Sequence, residues 1–192
     1  MKHISIEGMD GVGKSTTAEL LAKKLGYEFV EKPLHYLFDD EGFEHYQSIA
    51  SKVNANKNRD FTSMFYGLGS IFMYDKFKGQ NIVTDRHLAS NYAWSGVESN
   101  QDIYDLLIKK LGVPTLTIIL YAPIEVIIER LTTRNKDDKD IARASKSEEI
   151  YARMREFCEK RNFPFMWLDS SNLSAEQAVD FIIKELKFKE NL

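Results

Sequence analysis

The stretch Ile4-Ser-Ile-Glu-Gly-Met-Asp-Gly-Val-Gly-Lys-Ser-Thr-Thr-Ala-Glu-Leu20 decides the fold. Gly8, Gly13, Lys14 and Ser15 fall at the spacing G-x-x-x-x-G-K-[ST] of a phosphate-binding loop. The apolar run His3-Ile-Ser-Ile before it reads as a buried strand. Thr16 to Leu25 reads as a helix with Leu20, Leu21 and Leu25 on one side. The residue types suit a polyphosphate. Gly8, Gly11 and Gly13 let the backbone curl so that N–H groups point inward at phosphate oxygens. The helix that follows adds its positive end. The loop from Gly8 through Asp10, Gly11, Val12 and Gly13 to Thr16 is therefore the candidate site for ATP. Lys14 supplies a mobile charge for the outer phosphates, and the Ser15 hydroxyl is placed to ligate Mg²⁺.

Outward from that loop, 192 residues with 43% apolar and 29% charged content predict one globular domain, residues 1–192. A net charge of −3 argues against sequence-independent binding to a nucleic acid polymer. Cys158 is the sole cysteine, so neither an intramolecular disulfide nor a cysteine metal cluster is expected. No signal-peptide h-region opens the chain and no apolar run is long enough to span a bilayer. A cytoplasmic protein without membrane partners is the expectation.

Four more strands follow by the same reading. Tyr27 to Val30 is a short strand running into Glu31-Lys32-Pro33, which makes Lys32 either a ligand for an anionic substrate or a solvated surface lysine. Asp39 to Val53 has helical periodicity, with Phe43, Tyr46, Ile49, Ala50 and Val53 on one stripe. Asp60 is placed to cap a further helix, whose Phe61, Met64, Phe65, Leu68, Ile71 and Phe72 fall at helical spacing. Gly67 and Gly69 inside it suggest close approach of a ligand or another helix, and Phe65 serves either the core or a stacked base. Ile82-Val-Thr84 is a buried strand ending in Asp85-Arg86. In an open parallel sheet ligands bind at that edge, so Asp85 is a candidate Mg²⁺ ligand and Arg86 a candidate phosphate ligand.

Leu88–Ser95 and Gln101–Leu111 read as helices, and Leu116 to Leu120 as the most plainly buried strand. Pro123 starts a helix whose Ile124, Val126, Ile127, Ile128 and Leu131 read as heavily buried. Arg130 and Arg134 share one face of it. The charged stretch 134–146, with Arg143, reads as a flap that closes over nucleotide. Ser147 caps a helix to Arg161, Phe165 to Leu168 is the fifth strand, and Ser174-Ala-Glu-Gln177 is a capping box. The alternation predicts an α/β fold: five parallel strands, helices on both faces and a flexible lid. The phosphate loop, Lys32, Asp85, Arg86, Tyr121 and Asp169 would gather on one rim.

The chain resembles the thymidylate kinase family of the nucleoside monophosphate kinase superfamily. Glu7-Gly-Met-Asp-Gly-Val-Gly-Lys-Ser-Thr is similar to the family's E-G-x-D-G-x-G-K-[ST]-T loop, and Asp85-Arg-His-Leu-Ala-Ser-Asn-Tyr-Ala-Trp94 to its D-R-Y-x-x-S-x-x-A-Y stretch. Pro114 to Leu120 and Glu129-Arg130…Arg134 match two further segments. The resemblance implies a P-loop kinase that transfers the γ-phosphoryl group of Mg–ATP to a deoxynucleoside monophosphate, dTMP above all. It implies that Asp10 contacts the acceptor sugar or helps hold Mg²⁺, and that Arg86 grips the acceptor phosphate. Ser90 would bind the substrate, Asn91 would lie against the base, and Trp94 would stand at the sugar. Arg130, Arg134 and Arg143 would stabilise the migrating group. It points also to a homodimer. Where the family carries T-R-E-P-G-G, this chain has Val30-Glu-Lys-Pro-Leu34; the phosphate-binding arginine is missing, and of these residues only Lys32 can substitute. That difference keeps two alternatives open: a kinase for an uncharged deoxynucleoside or other small molecule, and a nucleotide-binding regulator.

Overall fold

Strands buried on both faces build the centre of the molecule. His3–Gly8 (β1) is buried at every position, and Leu116–Tyr121 (β4) at all but the last. Burial at nearly every position of a strand suits a parallel sheet covered on both sides. The computed structural model, which describes residues 1–39 and 42–190, adds Glu28–Glu31 (β2), Ile82–Asp85 (β3) and Phe165–Asp169 (β5). All pairings are parallel and the order is β2-β3-β1-β4-β5. Ile6, Leu21, Ile118, Ile119, Leu120 and Phe157 are fully enclosed. Each such side chain contributes roughly 2 kcal/mol by leaving water.

Register decides what lies on the ligand-binding rim. Glu31 pairs with Asp85, Ile6 with Asp85, Gly8 with Leu120, and Tyr121 with Asp169. The expected rim of strand ends is therefore present. Strand order reverses at β1, so the loop after β1 opens into the crevice between outgoing connections.

The helices are Lys14–Leu25 (α1), His35–Phe38 (α2), Glu44–Ala55 (α3), Arg59–Lys76 (α4), Leu88–Ser95 (α5), Gln101–Leu111 (α6), Ile124–Arg134 (α7), Ile141–Ala144 (α8), Ser147–Lys160 (α9) and Ala175–Glu190 (α10). Several differ from the sequence expectation. Asp39 does not begin a helix. Its carboxylate stands outside α3 and accepts the N–H groups of His45 (2.9 Å) and Tyr46 (3.0 Å), capping it from a distance. Asn58, not Asp60, caps α4, accepting from Phe61 N at 3.1 Å. Ser147 is the first helical residue of α9 rather than its cap. Of the apolar residues of α7 only Ile127 and Leu131 are fully buried, and Ile128 is exposed.

The apolar stripe of α4 splits. Phe65 and Phe72 pack on Leu34, Tyr46 and Ala50, while Phe61, Met64, Leu68 and Ile71 face outward. Its glycines mark close approach: a Cβ on Gly67 would lie 2.8 Å from Leu107 Cδ1 of α6, and one on Gly69 3.3 Å from Leu34 Cγ. The capping box forms as read, with Gln177 N donating to Ser174 Oγ (3.2 Å) and Ser174 N to Gln177 Oε1 (2.8 Å). Cys158 is buried and free. Among the described residues no helix is long and apolar enough to cross a membrane.

Candidate active site

The loop after β1 takes the shape its glycines permit. Gly8, Gly11 and Gly13 have φ of +141°, +83° and +94°. At Gly8 a Cβ would meet Leu120 O at 2.5 Å, and at Gly11 it would meet Leu131 Cγ at 2.8 Å. Left-handed backbone and crowding together require glycine at both. Gly13 is the N-cap of α1 and makes no side-chain cap bond, so the helix's first N–H groups remain for an anion. Val12 is buried beneath the loop, while Ser15 and Thr16 are exposed at the mouth. Tyr151 of α9 steadies the loop, accepting from Met9 N at 3.5 Å.

Charges of both signs converge behind the loop. Lys14 is 5% exposed; its Nζ donates to Met9 O at 2.7 Å and lies 3.7 Å from Asp10 Oδ1. Burial, then the nearby Arg86 charge, push its pKa down to about 8 against the pull of Asp85, Asp10 and Glu7. Arg86 reaches back to Asp10 Oδ1 at 2.6 Å, Gly8 O at 3.0 Å and Ser90 Oγ at 3.2 Å. Burial alone would raise the Asp10 carboxyl, but Arg86 and Lys14 together hold it far below the usual range. Ser15 Oγ donates to Asp85 Oδ2 at 2.5 Å, and Asp85 Oδ1 is buried without a hydrogen-bond partner. A hydroxyl and one carboxylate with an unspent oxygen suit Mg²⁺ completed by water and phosphates. Among the described residues no three His, Cys, Asp or Glu side chains form a cluster that would hold a metal by themselves.

The far side of the cleft is built from the ends of β2 and β3 with α3 and α4. Lys32, at φ +42°, lies 3.2 Å from Glu31 Oε2 and 4.6 Å from the Phe43 ring centre. Its charge is thus held by its own neighbour. Tyr46 and Tyr66 belong to the same neighbourhood. Burial raises both hydroxyls above the usual tyrosine value; Glu31 adds to the rise at Tyr46, and the Arg86 charge opposes it at both. Tyr66 is open in the sequence to a core or a base-stacking role, Tyr46 reads there only as part of a helical stripe and Glu31 only as a strand end; the register Glu31↔Asp85 brings Glu31 to the Asp85 edge.

Asn91 is not presented to a base. Its amide donates to Ser63 O at 3.0 Å and accepts from the Tyr104 hydroxyl at 3.3 Å, tying α5 to α4 and α6. Phe65 is half-buried in the α2–α4 cluster and does not stand free as a stacking platform. Trp94 is half-buried, with the Arg143 guanidinium 5.8 Å above its ring. Ser90 lies inward, bonded to Glu7 and Arg86.

The stretch 134–146 is folded into turns around α8, whose Ala144 is buried. Its arginines are paired with its own acids: Arg134 with Asp138 (2.5 Å) and Asp140 (3.6 Å), Arg143 with Asp140 (3.5 Å). Arg130 differs from the expectation of a charge aimed at the phosphates. It donates to the carbonyls of Ser170 (2.7 Å), Ser171 (3.0 Å) and Val12 (3.4 Å), clamping the loop after β5 to the phosphate loop. Sequence spacing put Arg130 on the right helix face; only the fold shows that backbone oxygens occupy it.

The comparisons with known proteins agree with this fold. A thymidylate kinase family profile matches residues 6–182. The chain is 30% identical over 141 residues to a probable thymidylate kinase of Metallosphaera sedula, covering 72% of this chain and 68% of that protein. It is 28% identical to the thymidylate kinase of Mesomycoplasma hyopneumoniae, covering 94% and 93%. A putative adenylate kinase of Thermococcus onnurineus is 27% identical, covering 96% and 83%. Among solved structures, deoxyadenosine kinase from M. mycoides superposes with a TM-score of 0.64 at 22% identity, over 96% of this chain and 98% of that one. The profile spans the phosphate loop, the Asp85-Arg86 edge and residues 134–146 alike, and the chain belongs to the thymidylate kinase family.

Proposed function

We propose that this nucleotide kinase transfers the γ-phosphoryl group of Mg–ATP to a deoxynucleoside monophosphate, with dTMP as acceptor and dTDP as product. The observation that carries the reading is the juxtaposition of Lys14, Asp10, Arg86, Asp85 and Ser15 at one strand edge. The family match supports the acceptor class.

The chemistry is in-line displacement without a covalent enzyme intermediate, so the protein's work is positioning and charge compensation. The curled backbone from Gly8 to Thr16 holds the donor phosphates. Lys14 exchanges Met9 O for phosphate oxygens. Ser15 and Asp85 would hold Mg²⁺, which would supply charge neutralisation to the phosphates when bound. Arg86, with N–H groups left over beyond Gly8, Ser90 and Asp10, aligns the acceptor phosphate. Asp10 orients Arg86 and Lys14 and stands beside the acceptor sugar. Trp94 borders the acceptor, and Lys32 adds charge once drawn from Glu31. Arg134 and Arg143 swing from their lid acids to the migrating group as residues 134–146 close. We read residues 1–192 as one kinase domain acting in the cytoplasm, and the outward stripe Phe61, Met64, Leu68 and Ile71 of α4 as the face of a homodimer.

A second reading rests on the Glu31–Lys32 pair. A carboxylate stands where the family has its phosphate-binding arginine, and it holds the neighbouring lysine at 3.2 Å. An acceptor end with that balance suits an uncharged deoxynucleoside. Phosphorus NMR of a reaction with ATP and dTMP separates the two: the β-phosphate doublet of dTDP growing with that of ADP supports the first. Formation of dTMP from thymidine, with dTMP itself inert, supports the second.

A further inference from the structure

Glu7 lies on β1 with no exposure to solvent, directly beneath Arg86 and α5. A carboxylate buried to that extent requires compensation. One of its oxygens, Oε1, is buried without a hydrogen-bond partner. The other, Oε2, accepts from Ser90 N at 3.1 Å and from Ser90 Oγ at 2.5 Å. Ser90 Oγ in turn lies 3.2 Å from Arg86 Nη1.

The direction of these bonds is fixed by the donors. A guanidinium can only donate, so Ser90 Oγ accepts from Arg86. A hydroxyl carries one proton, and that proton points to Glu7. Arg86 is therefore linked to the buried Glu7 carboxyl through one hydroxyl. The same guanidinium donates to Gly8 O and Asp10 Oδ1. Of the five N–H groups it carries, three are thus donated to named partners among the described residues, and the others remain for a ligand. Arg86 also has φ +74°, a left-handed backbone for a non-glycine residue, which persists only where its surroundings hold it.

We propose that Glu7 and Ser90 are positioning residues for Arg86: the relay Arg86–Ser90–Glu7 locks the guanidinium plane so that its undonated edge faces the acceptor's oxygen. This goes beyond the function proposed above and rests on it only for the identity of Arg86 as an acceptor ligand. Burial raises the Glu7 carboxyl against the pull of Ser90 and the Arg86 charge. Motif reading accounts for Gly8 and Lys14 but assigns Glu7 nothing, and it counts Ser90 among the residues that touch substrate.

The test uses Ser90→Ala, Ser90→Thr, Glu7→Gln and the Ser90→Ala/Glu7→Gln pair, each in the full chain. With whichever acceptor turns over fastest, Ser90→Ala and Glu7→Gln are expected to raise the acceptor KM about tenfold, the loss of one charge-assisted bond. The ATP KM stays within about twofold, because the phosphate loop keeps its own contacts. Ser90→Thr restores the wild-type values. The double variant is no worse than either single one, since both cut the same chain. A second readout needs no acceptor: the guanidinium N–H resonances of Arg86, identified by their loss in Arg86→Lys, shift and broaden in Ser90→Ala and Glu7→Gln but not in Ser90→Thr. The relay is overturned by unchanged resonances in folded variants, by acceptor and ATP KM rising together, or by additive losses in the pair. Absence of any acceptor would sink the functional reading alone, and the resonances would still decide the relay. Should Glu7→Gln fail to fold, Ser90→Ala against Ser90→Thr decides it.

Discussion

Ser15 and Asp85, 70 residues apart in the chain, meet at 2.5 Å where the phosphate loop crosses the end of β3. The contact leaves Asp85 Oδ1 buried and without a partner. That oxygen and the Ser15 hydroxyl are the atoms to which a cation would be drawn. Asp85→Asn is expected to lower kcat about 100-fold and to move the Mg²⁺ dependence of the rate to higher concentration. Nucleotide binding in the presence of a chelator should change little. A magnesium titration of the variant checks this, and an unchanged magnesium curve would take Asp85 out of the metal site.

Lys14 gives a signed pH dependence. Its pKa in the free protein is pushed down to about 8 by burial and Arg86. Bound phosphates raise it again, so above about pH 8 binding must take up a proton. ATP affinity should be flat below that pH and weaken by up to about tenfold per unit above it. Calorimetry in buffers of different ionisation enthalpy would report the proton. Lys14→Ala should remove the pH dependence and lower kcat by about 100-fold or more.

Gly11 and Gly13 separate crowding from backbone strain. Both have positive φ, but a Cβ at Gly11 meets Leu131 at 2.8 Å whereas nothing lies within 4 Å at Gly13. Gly11→Ala should cost roughly 2–4 kcal/mol of stability, and Gly13→Ala roughly 1 kcal/mol. Urea unfolding without nucleotide measures both. Equal losses would show that Leu131 gives way freely.

Leu68 stands at the middle of the outward stripe of α4 and is 53% exposed. Leu68→Asp should turn a dimer into a monomer in sedimentation while leaving the melting temperature of the monomer nearly unchanged. A wild-type chain that sediments as a monomer would remove the proposed role of that face.

The curled loop proposed for the donor was legible in the sequence because its residues are local. Gly8, Gly11, Gly13, Lys14 and Ser15 are consecutive or nearly so, and the strand and helix flanking them carry their own periodicity. Asp85 was legible because an acid at the end of an apolar strand has few other places to be. The acceptor side was not. Glu31 and Tyr46 come together only through strand register and the crossing of helices. Asp39 and Asn58 show the same limit at small scale: each caps a helix that begins some residues beyond the expected point or caps it in place of the expected residue. Asn91 and Arg130 matched motif positions, yet tertiary partners hold both, since a buried amide or guanidinium takes whatever carbonyls the fold brings near. Glu7 was in plain view in the motif, but its partner Ser90 is 83 residues away.

Steady-state ADP release from Mg–ATP by the wild-type chain, across the deoxynucleoside monophosphates and the matching deoxynucleosides, tests transfer to a monophosphate most directly. Strong turnover with dTMP, and little with thymidine, is the predicted result. It would mean that Arg86, with Lys32 or a lid arginine, holds an acceptor phosphate without the family's missing arginine. Turnover confined to the nucleosides would contradict it, and would make the Glu31–Lys32 pair the mark of an uncharged acceptor.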